Sequence, residues 1–123
     1  MNVTVISVIE TVRETKDAQD ITEATLIGWL QEAEASVIDN ILSRYKGFKA
    51  EEHDVRKMST DTELLAPKPY SRLYEYYLKA QIDYMRDEIS LYHNDLTQYE
   101  GAMSDYWKFY NRTHERISSK IRV

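Results

Sequence analysis

Apolar residues near the start of the chain recur at the spacing of one helical face. They are Val5, Val8, Ile9 and Val12. Thr4 precedes them in the position of an N-cap, and Val3 and Val8 are placed to contact each other across that cap. The pattern predicts a first helix over residues 4–15.

A longer apolar stripe begins in the same way, because Thr22 stands as an N-cap between Ile21 and Leu26. The stripe predicts a second helix over residues 23–45, which Gly47 ends. Its members are Leu26, Ile27, Leu30, Ala33, Val37, Ile38, Ile41, Leu42 and Tyr45.

Helical periodicity fades over residues 46–69, where charges of both signs intermix and two prolines close the segment. A loop of this length is uncommon in a small domain and tends to be functional. Two structures remain open for it: an extended, strand-like piece, or a loop that projects from the body.

A narrow apolar seam follows, with spacings that alternate between four and three residues. It consists of Leu78, Ile82, Met85, Ile89, Tyr92, Leu96, Tyr99, Met103, Tyr106 and Tyr110. One long coiled-coil helix would explain the seam, and so would a hairpin that breaks at residues 93–95, where Asn94 or Asp95 can cap the second helix. A single helix of this length is hard to bury in a small domain, so we predict two helices, over residues 70–92 and 95–113.

Composition supports an all-α fold. The 123 residues include only three glycines and two prolines, which argues against an all-β fold with many hairpins. The length suits one domain with a modest core. We therefore predict a single helical domain over residues 1–111, a small bundle of about four helices, and an extended basic C-terminal tail over residues 112–123.

The charge of the chain is unevenly distributed. Residues 112–123 carry a local charge of +3, so residues 1–111 carry −8 within the net charge of −5. An acidic body disfavours contact with DNA phosphates, and a basic tail is typical of an arm that binds an acidic partner.

Residue types that carry catalysis or bind metals do not come together in the sequence. His53, His93 and His114 lack the spacing of helical metal sites. There is no phosphate-binding loop, dinucleotide-binding turn or nucleophile elbow, and no cysteine for a disulfide or a thiolate site. We expect no enzyme, no metal and no cofactor.

The remaining acidic groups are interpreted as solvated surface. They lie at residues 32–34, 51–52 and 83–88. The longest apolar run, over residues 5–9, is far too short to span a bilayer. We therefore expect no membrane partner, and synthesis in the cytoplasm.

Ten tyrosines are more than a private core of this size requires. Tyrosine is favoured where one end of a side chain is buried and the other meets water or a partner. Tyr106 and Tyr110 lie on the seam and are expected in the core or in a subunit contact. Trp107 and Phe109 lie off the seam, which makes them candidates for lateral contacts between subunits.

Three motifs in the second half of the chain point to a known family. They are LLAPKPY at residues 64–70, YLKAQID at 77–83 and YNRTH at 110–114, and IGWL at 27–30 also fits. On these motifs, residues 63–114 resemble the head–tail connector proteins, also called adaptor or head-completion proteins, of tailed phages and prophages of Gram-positive bacteria. The sequence departs from the family pattern at residues 85–88 and 92–94, near the predicted turn.

The resemblance implies a small helical module that assembles into a ring, commonly twelve-fold, beneath the portal protein in the neck of the virion. Such a ring extends the DNA channel, helps to retain the packaged genome and presents a platform for the stopper or tail-completion protein. Contact with passing DNA would then occur without sequence readout.

Within this interpretation, three groups of residues are candidates for contacts. The tail residues expected to dock on the portal are Arg112, Arg116, Ile117, Ile121 and Val123. The residues expected at subunit interfaces are Trp107 and Phe109, with Tyr106 and Tyr110. The loop residues expected to face the channel or a neighbouring ring are Phe48, Arg56, Lys57 and Met58.

Two other functions remain open at the level of sequence. One is a small helical regulatory or protein-binding module that dimerises through the seam at residues 78–110. The other is an accessory protein that contacts DNA through its basic tail and aromatic residues, which strong salt-dependent binding to duplex DNA would support.

Overall fold

Four α-helices form the body of the protein in a computed structural model that describes residues 2–117. They are α1 (Val5–Lys16), α2 (Glu23–Asn40), α3 (Arg72–Met85) and α4 (Ile89–Thr113). Short 3₁₀ turns at Leu42–Arg44, Ala50–Glu52 and Val55–Lys57 lie between α2 and α3. The predicted all-α class is confirmed.

The first two helices begin where the sequence predicts. The Thr4 hydroxyl accepts a hydrogen bond from the Ser7 backbone N–H at 3.4 Å, and the Thr22 hydroxyl accepts one from the Thr25 N–H at 3.2 Å. These side chains satisfy N–H groups that have no partner within the helix. Helix α1 ends at Lys16, where Asp17 adopts a left-handed conformation with φ of 52°.

Helix α2 ends at Asn40, five residues before the predicted end. Ile41 leaves helical geometry with φ of −123° and ψ of −69°, and the 3₁₀ turn follows. Ile41, Leu42 and Tyr45 are nevertheless buried. The apolar stripe therefore continues because these residues stay buried, although the helix has ended. The predicted end of the helix at residue 45 was wrong.

Helices α3 and α4 form the predicted hairpin, but its break lies at residues 86–88 and not at 93–95. Asp87 has a left-handed φ of 59°, which Asp tolerates better than most residues. Residues 93–95 lie inside α4, where the Asp95 side chain is buried and caps no helix.

Helix α3 lies at the centre of the bundle and contacts each of the other three helices. Its buried residues include Leu73, Leu78 and Ile82, which join one core with apolar residues of α1 and α2. Tyr106 of α4 closes this core. Leu78, Ile82 and Tyr106 of the seam are therefore buried within one chain.

The loop over residues 46–69 packs against the body. The Val5 N–H donates to the Thr62 carbonyl at 2.9 Å, and the Leu64 N–H donates to the Val3 carbonyl at 2.9 Å. The Gln31 side chain of α2 also donates to the Val55 carbonyl at 3.0 Å. Strand-like pairing is limited to a single bridge between residues 4 and 63, so the loop is neither a full strand nor a free projection.

Candidate interaction surfaces

Helix α4 lies on the outside of the bundle. Of its 25 residues, only Asp95 and Tyr106 are buried. At about 1.5 Å per residue, the helix is roughly 37 Å long. It therefore presents a long surface, and its exposed apolar side chains are the first candidates for contact with other molecules.

The turn between α3 and α4 carries one group of exposed apolar side chains, here called the α3–α4 tip. Its members and their exposed fractions are Tyr84 at 63%, Met85 at 51%, Ile89 at 47% and Leu91 at 45%. The Tyr84 and Tyr92 rings also contact each other, with centroids 5.3 Å apart. Large apolar side chains grouped in this way typically mark an interaction site.

The α3–α4 tip was not predicted as a site. Met85 and Ile89 were assigned to the buried seam, and the shift of the break to residues 86–88 leaves them at the turn. Tyr84 and Leu91 lie off the seam, and this position could have identified the site from the sequence. Large apolar residues outside a buried stripe face either solvent or a partner.

A second exposed apolar site lies toward the other end of α4. Trp107, which is 37% exposed, borders an open groove of about 390 Å³. Tyr99 and Met103 of α4 line the groove on one side, and Asn40 and Ile41 at the end of α2 line it on the other. We call it the Trp107 groove. Trp107 was predicted as an interface residue, and it is accessible for that role.

The other three predicted interface residues pack within the chain. Tyr106 is 3% exposed, and its burial raises the pKa of its phenol above the ordinary value. Phe109 stacks on Tyr70 at 5.0 Å between centroids, and Tyr110 meets the Tyr45 ring edge-on at 5.0 Å. Phe109 and Tyr110 are half-buried, so each has only part of its ring free for a contact.

The segment after α4 runs antiparallel to residues 44–46. The Lys46 N–H donates to the Glu115 carbonyl at 2.8 Å, and the Ile117 N–H donates to the Arg44 carbonyl at 3.0 Å. The Arg116 guanidinium lies 5.9 Å from the centre of the Tyr45 ring, within the range of a cation–π contact. Residues 114–117 are therefore attached to the body.

The predicted portal-docking residues fall into three environments. Arg112 lies exposed in the last turn of α4, Arg116 lies against Tyr45, and Ile117 is 57% exposed. Ile121 and Val123 lie outside the described residues. Arg112 and Ile117 thus expose the charged and apolar groups that the prediction requires of them.

The four predicted loop residues do not form one patch. Phe48 is half-buried and stacks on His53 at 5.0 Å between centroids. Arg56 is exposed and pairs with Asp54 at 3.0 Å, and hydrogen bonds from Arg56 lower the pKa of that carboxyl. Lys57 and Met58 line an open cleft of about 390 Å³.

Glu34 lies at the same cleft and is buried, contrary to its interpretation as solvated surface. It is 4% exposed and accepts hydrogen bonds from the Tyr74 hydroxyl and from the Leu65 N–H. The Ala66 N–H donates in turn to the Tyr74 hydroxyl at 2.9 Å. Burial raises the pKa of Glu34, and the hydrogen bonds from Tyr74 and Leu65 oppose the rise. Glu34 therefore ties residues 65–66 to α2 and α3.

Asp83 is also buried, again contrary to the solvated interpretation. Its Oδ1 lies 2.8 Å from Lys16 Nζ, which is also 3.1 Å from Oδ2 of Asp95. The three residues connect α1, α3 and α4. Burial opposes the charge on Lys16, but the two carboxyls outweigh it and raise the pKa of Lys16 above its ordinary value.

The pKa of Asp83 is raised to about 6. Burial is the main cause, the neighbouring Asp95 carboxyl adds to it, and Lys16 opposes both. The side chain is fully buried, so it lacks the water that would stabilise its charge. Through Lys16, Asp83 joins α3 to α1 and α4.

Within residues 2–117, no three His, Asp or Glu side chains are arranged to hold a metal ion. No helix in the same range has an apolar stretch long enough to cross a membrane. Searches against protein-family models, curated proteins and solved structures found no match to this chain.

Proposed function

We propose that the chain is a structural head–tail connector that forms a ring beneath the portal and joins the head to the stopper or tail. The observation that carries the proposal is the pair of separate apolar sites at the two ends of α4, the α3–α4 tip and the Trp107 groove. Its mechanism is binding and geometry, without catalysis.

Two different apolar sites on one subunit suit a ring. Leu91 and Trp107 are sixteen positions apart in α4, or roughly 24 Å along the helix axis. A closed ring uses heterologous contacts, in which one surface of a subunit meets a different surface of the next, whereas a two-fold dimer needs a single self-complementary surface. The tip of one subunit would meet the groove side of its neighbour.

The negative charge of residues 1–111 is compatible with a ring that lines a DNA channel. Residues 1–111 carry −8, and phosphate groups would not adhere to such a wall as they do to a basic one. DNA could therefore pass through the ring without being held. Arg56 and Lys57, exposed on the loop, would face the channel or the next ring.

The tail supplies the proposed contact with the portal. Arg112 and Ile117 are exposed near the end of the described chain, and Ile121 and Val123 add two apolar side chains beyond it. Positive and apolar groups together fit an acidic rim with an apolar recess. The ring would therefore dock through residues 112–123 while α4 makes its lateral contacts.

Electron microscopy of particles produced with and without this gene tests the proposal. Without it, we expect heads that package DNA and then lose it, together with free tails, and expression of the wild-type chain in trans should restore tailed particles. Normal tailed particles after deletion would overturn the connector function and favour a regulatory module.

A further inference from the structure

The first ten residues of α4 contribute little to the hydrophobic core. The apolar residues of α4 that pack on the core begin at Tyr99 and continue to Tyr110. Within residues 89–98 of the described chain, only Asp95 is buried, and Leu96 is half-buried outside the core cluster. Segments with few buried apolar contacts open locally while the rest of a protein stays folded. Residues 89–98 are therefore the part of α4 that separates most easily from the body.

A charged contact attaches this segment to the body. Asp95 Oδ2 lies 3.1 Å from Lys16 Nζ at the end of α1, and the same ammonium lies 2.8 Å from Asp83 Oδ1 of α3. The rings of Tyr84 and Tyr92 also touch, but they lie beside the turn. When Asp83 is neutral, the ammonium can pair with Asp95 alone. When Asp83 is charged, the two carboxyls repel each other and compete for one cation.

The groups around Asp83 make this contact depend on pH. Lys16 of α1 and Asp95 of α4 are the charged groups that face it. Glu34 of α2 accepts its hydrogen bonds at a separate site, and Arg86 of α3 pairs with the connection between α1 and α2. Burial raises the pKa of Asp83 to about 6. Because the closed arrangement then binds the proton more tightly than an open one, the attachment weakens as pH rises through about 6.

Gly101 lies where the attached part of α4 begins. It is exposed, and an added Cβ would meet no atom from another part of the described chain within 4 Å. Close packing therefore does not explain a glycine at this position. Glycine weakens the interior of a helix relative to alanine. Its place two residues after Tyr99 makes it a hinge between residues 89–98 and the rest of the helix.

We propose that residues 89–98 form a flap, tethered at the α3–α4 turn and at Gly101. The shared ammonium of Lys16 holds the flap closed, and the flap opens more often when Asp83 is charged. The flap carries half of the α3–α4 tip, so its opening changes the arrangement of that apolar site. This device is independent of the connector function, since it rests only on contacts within one chain.

Hydrogen exchange of the full chain, measured by mass spectrometry in low concentrations of urea at pH 7.5, tests the flap. Protection of residues 89–98 should be at least tenfold below that of residues 102–110 and should depend only weakly on urea. Gly101→Ala should raise the protection of residues 89–98 several-fold. Gly28→Ala is the matched control, because Gly28 is also a helical glycine with open space around it, and it should leave their protection unchanged. Equal protection and equal urea dependence along α4 would overturn the flap.

Repeating the exchange at pH 5 tests the link to Asp83. After correction for the intrinsic exchange rate, wild-type protection of residues 89–98 should fall several-fold between pH 5 and pH 7.5. In Asp83→Asn this fall should be absent, because the competing charge cannot form. Asp105→Asn, which removes an exposed carboxylate from the same helix, is the control and should keep the wild-type fall. A fall of the same size in Asp83→Asn would overturn the role of Asp83.

Discussion

At the scale of single residues, one ammonium group between two carboxyls determines how three helices meet. Lys16 neutralises one negative charge, so Asp83 and Asp95 cannot both be fully compensated. Asp83 is fully buried, and its pKa is raised to about 6. The arrangement is costly to disrupt, because each partner removed leaves the others charged in a site with little water.

Replacing Lys16 with methionine should destabilise the protein strongly. The substitution leaves Asp83 and Asp95 without a cation, and the free energy of unfolding should fall by about 2–4 kcal/mol. Urea denaturation followed by circular dichroism measures this change. Lys46→Met is the matched control, because Lys46 pairs with Glu115 at the exposed surface, and it should change the free energy of unfolding by less than about 1 kcal/mol. Equal losses in both variants would contradict the assigned role of Lys16.

The raised pKa of Asp83 makes a prediction about pH. A carboxyl binds its proton more tightly in the folded state when its folded pKa is above the unfolded value, so stability falls as the proton is lost. The contribution of Asp83 should be greatest below its ordinary pKa of 3.8 and should decrease as pH rises toward about 6. The free energy of unfolding of the wild type, relative to Asp83→Asn, should decrease by about 1–3 kcal/mol between these values.

Chemical denaturation at several pH values between 4 and 7 tests this dependence. Glu34, whose pKa is also raised by burial, is present in both proteins, so its contribution cancels in the difference. Gln98→Ala, an exposed substitution on α4 without a titrating group, should keep a constant difference from the wild type. A difference for Asp83→Asn that stays constant with pH would show that Asp83 is not protonated in this range.

The burial of Glu34 and Asp83 could not be predicted from local sequence. Glu34 meets Tyr74 forty positions away, and Asp83 meets Lys16 across sixty-seven positions. A helical pattern shows which face is apolar, but it does not show that a distant hydroxyl or ammonium will meet a carboxylate. The caps at Thr4 and Thr22 were predictable because both partners lie within three residues.

At the scale of elements, Arg86 explains why the α3–α4 hairpin turns where it does. Its guanidinium donates to the Lys16 carbonyl at 2.9 Å and to Asp17 at 3.3 Å, and it pairs with Asp20 at 3.2 Å. These contacts hold the end of α3 against the end of α1. The sequence offered Asn94 and Asp95 as better capping residues, so the break was placed there, whereas contacts distant in sequence set it at residues 86–88.

Replacing Arg86 with alanine should therefore weaken the junction of α1 and α3. The variant leaves carbonyl oxygens of residues 16 and 17 without a donor, and the free energy of unfolding should fall by about 1–3 kcal/mol. Hydrogen exchange should rise first in the last turn of α3. Arg56→Ala is the control, since Arg56 pairs only within its own turn, and its effect should stay below about 0.5 kcal/mol. If Arg86→Ala and Arg56→Ala lowered the free energy of unfolding equally, the contacts of Arg86 would not explain the position of the break.

At the scale of the whole molecule, the sequence predicted the helices better than it predicted the surfaces. The all-α class and the hairpin follow from periodicity alone, but surface exposure depends on which side of α4 meets α3. Trp107 was predicted as an interface residue because it lies off the seam. Met85 and Ile89 were not predicted to be exposed because they lie on it. A three-residue turn at 86–88 was enough to move both from the expected core to the α3–α4 tip.

The two apolar sites on α4 make a final prediction about assembly. If the α3–α4 tip of one subunit contacts the groove side of the next, Leu91→Ser and Trp107→Ser should each reduce ring formation, because each removes an exposed apolar anchor. Leu91→Ser should lower the free energy of unfolding by about 1 kcal/mol and Trp107→Ser by about 1–3 kcal/mol, since more than half of each side chain is covered, so circular dichroism must show that both variants are folded before assembly is measured.

Mixing the two variants distinguishes a ring from a dimer. In heterologous contacts, a Leu91→Ser subunit keeps its groove and a Trp107→Ser subunit keeps its tip, so an equimolar mixture has one intact type of contact and should form pairs but not closed rings. Mass photometry in the presence of portal protein measures the species formed. Full rings from either variant alone would show that α4 does not mediate the contact. If the proposed geometry is right, growth stops at the pair because the second contact on each side requires the side chain that has been removed.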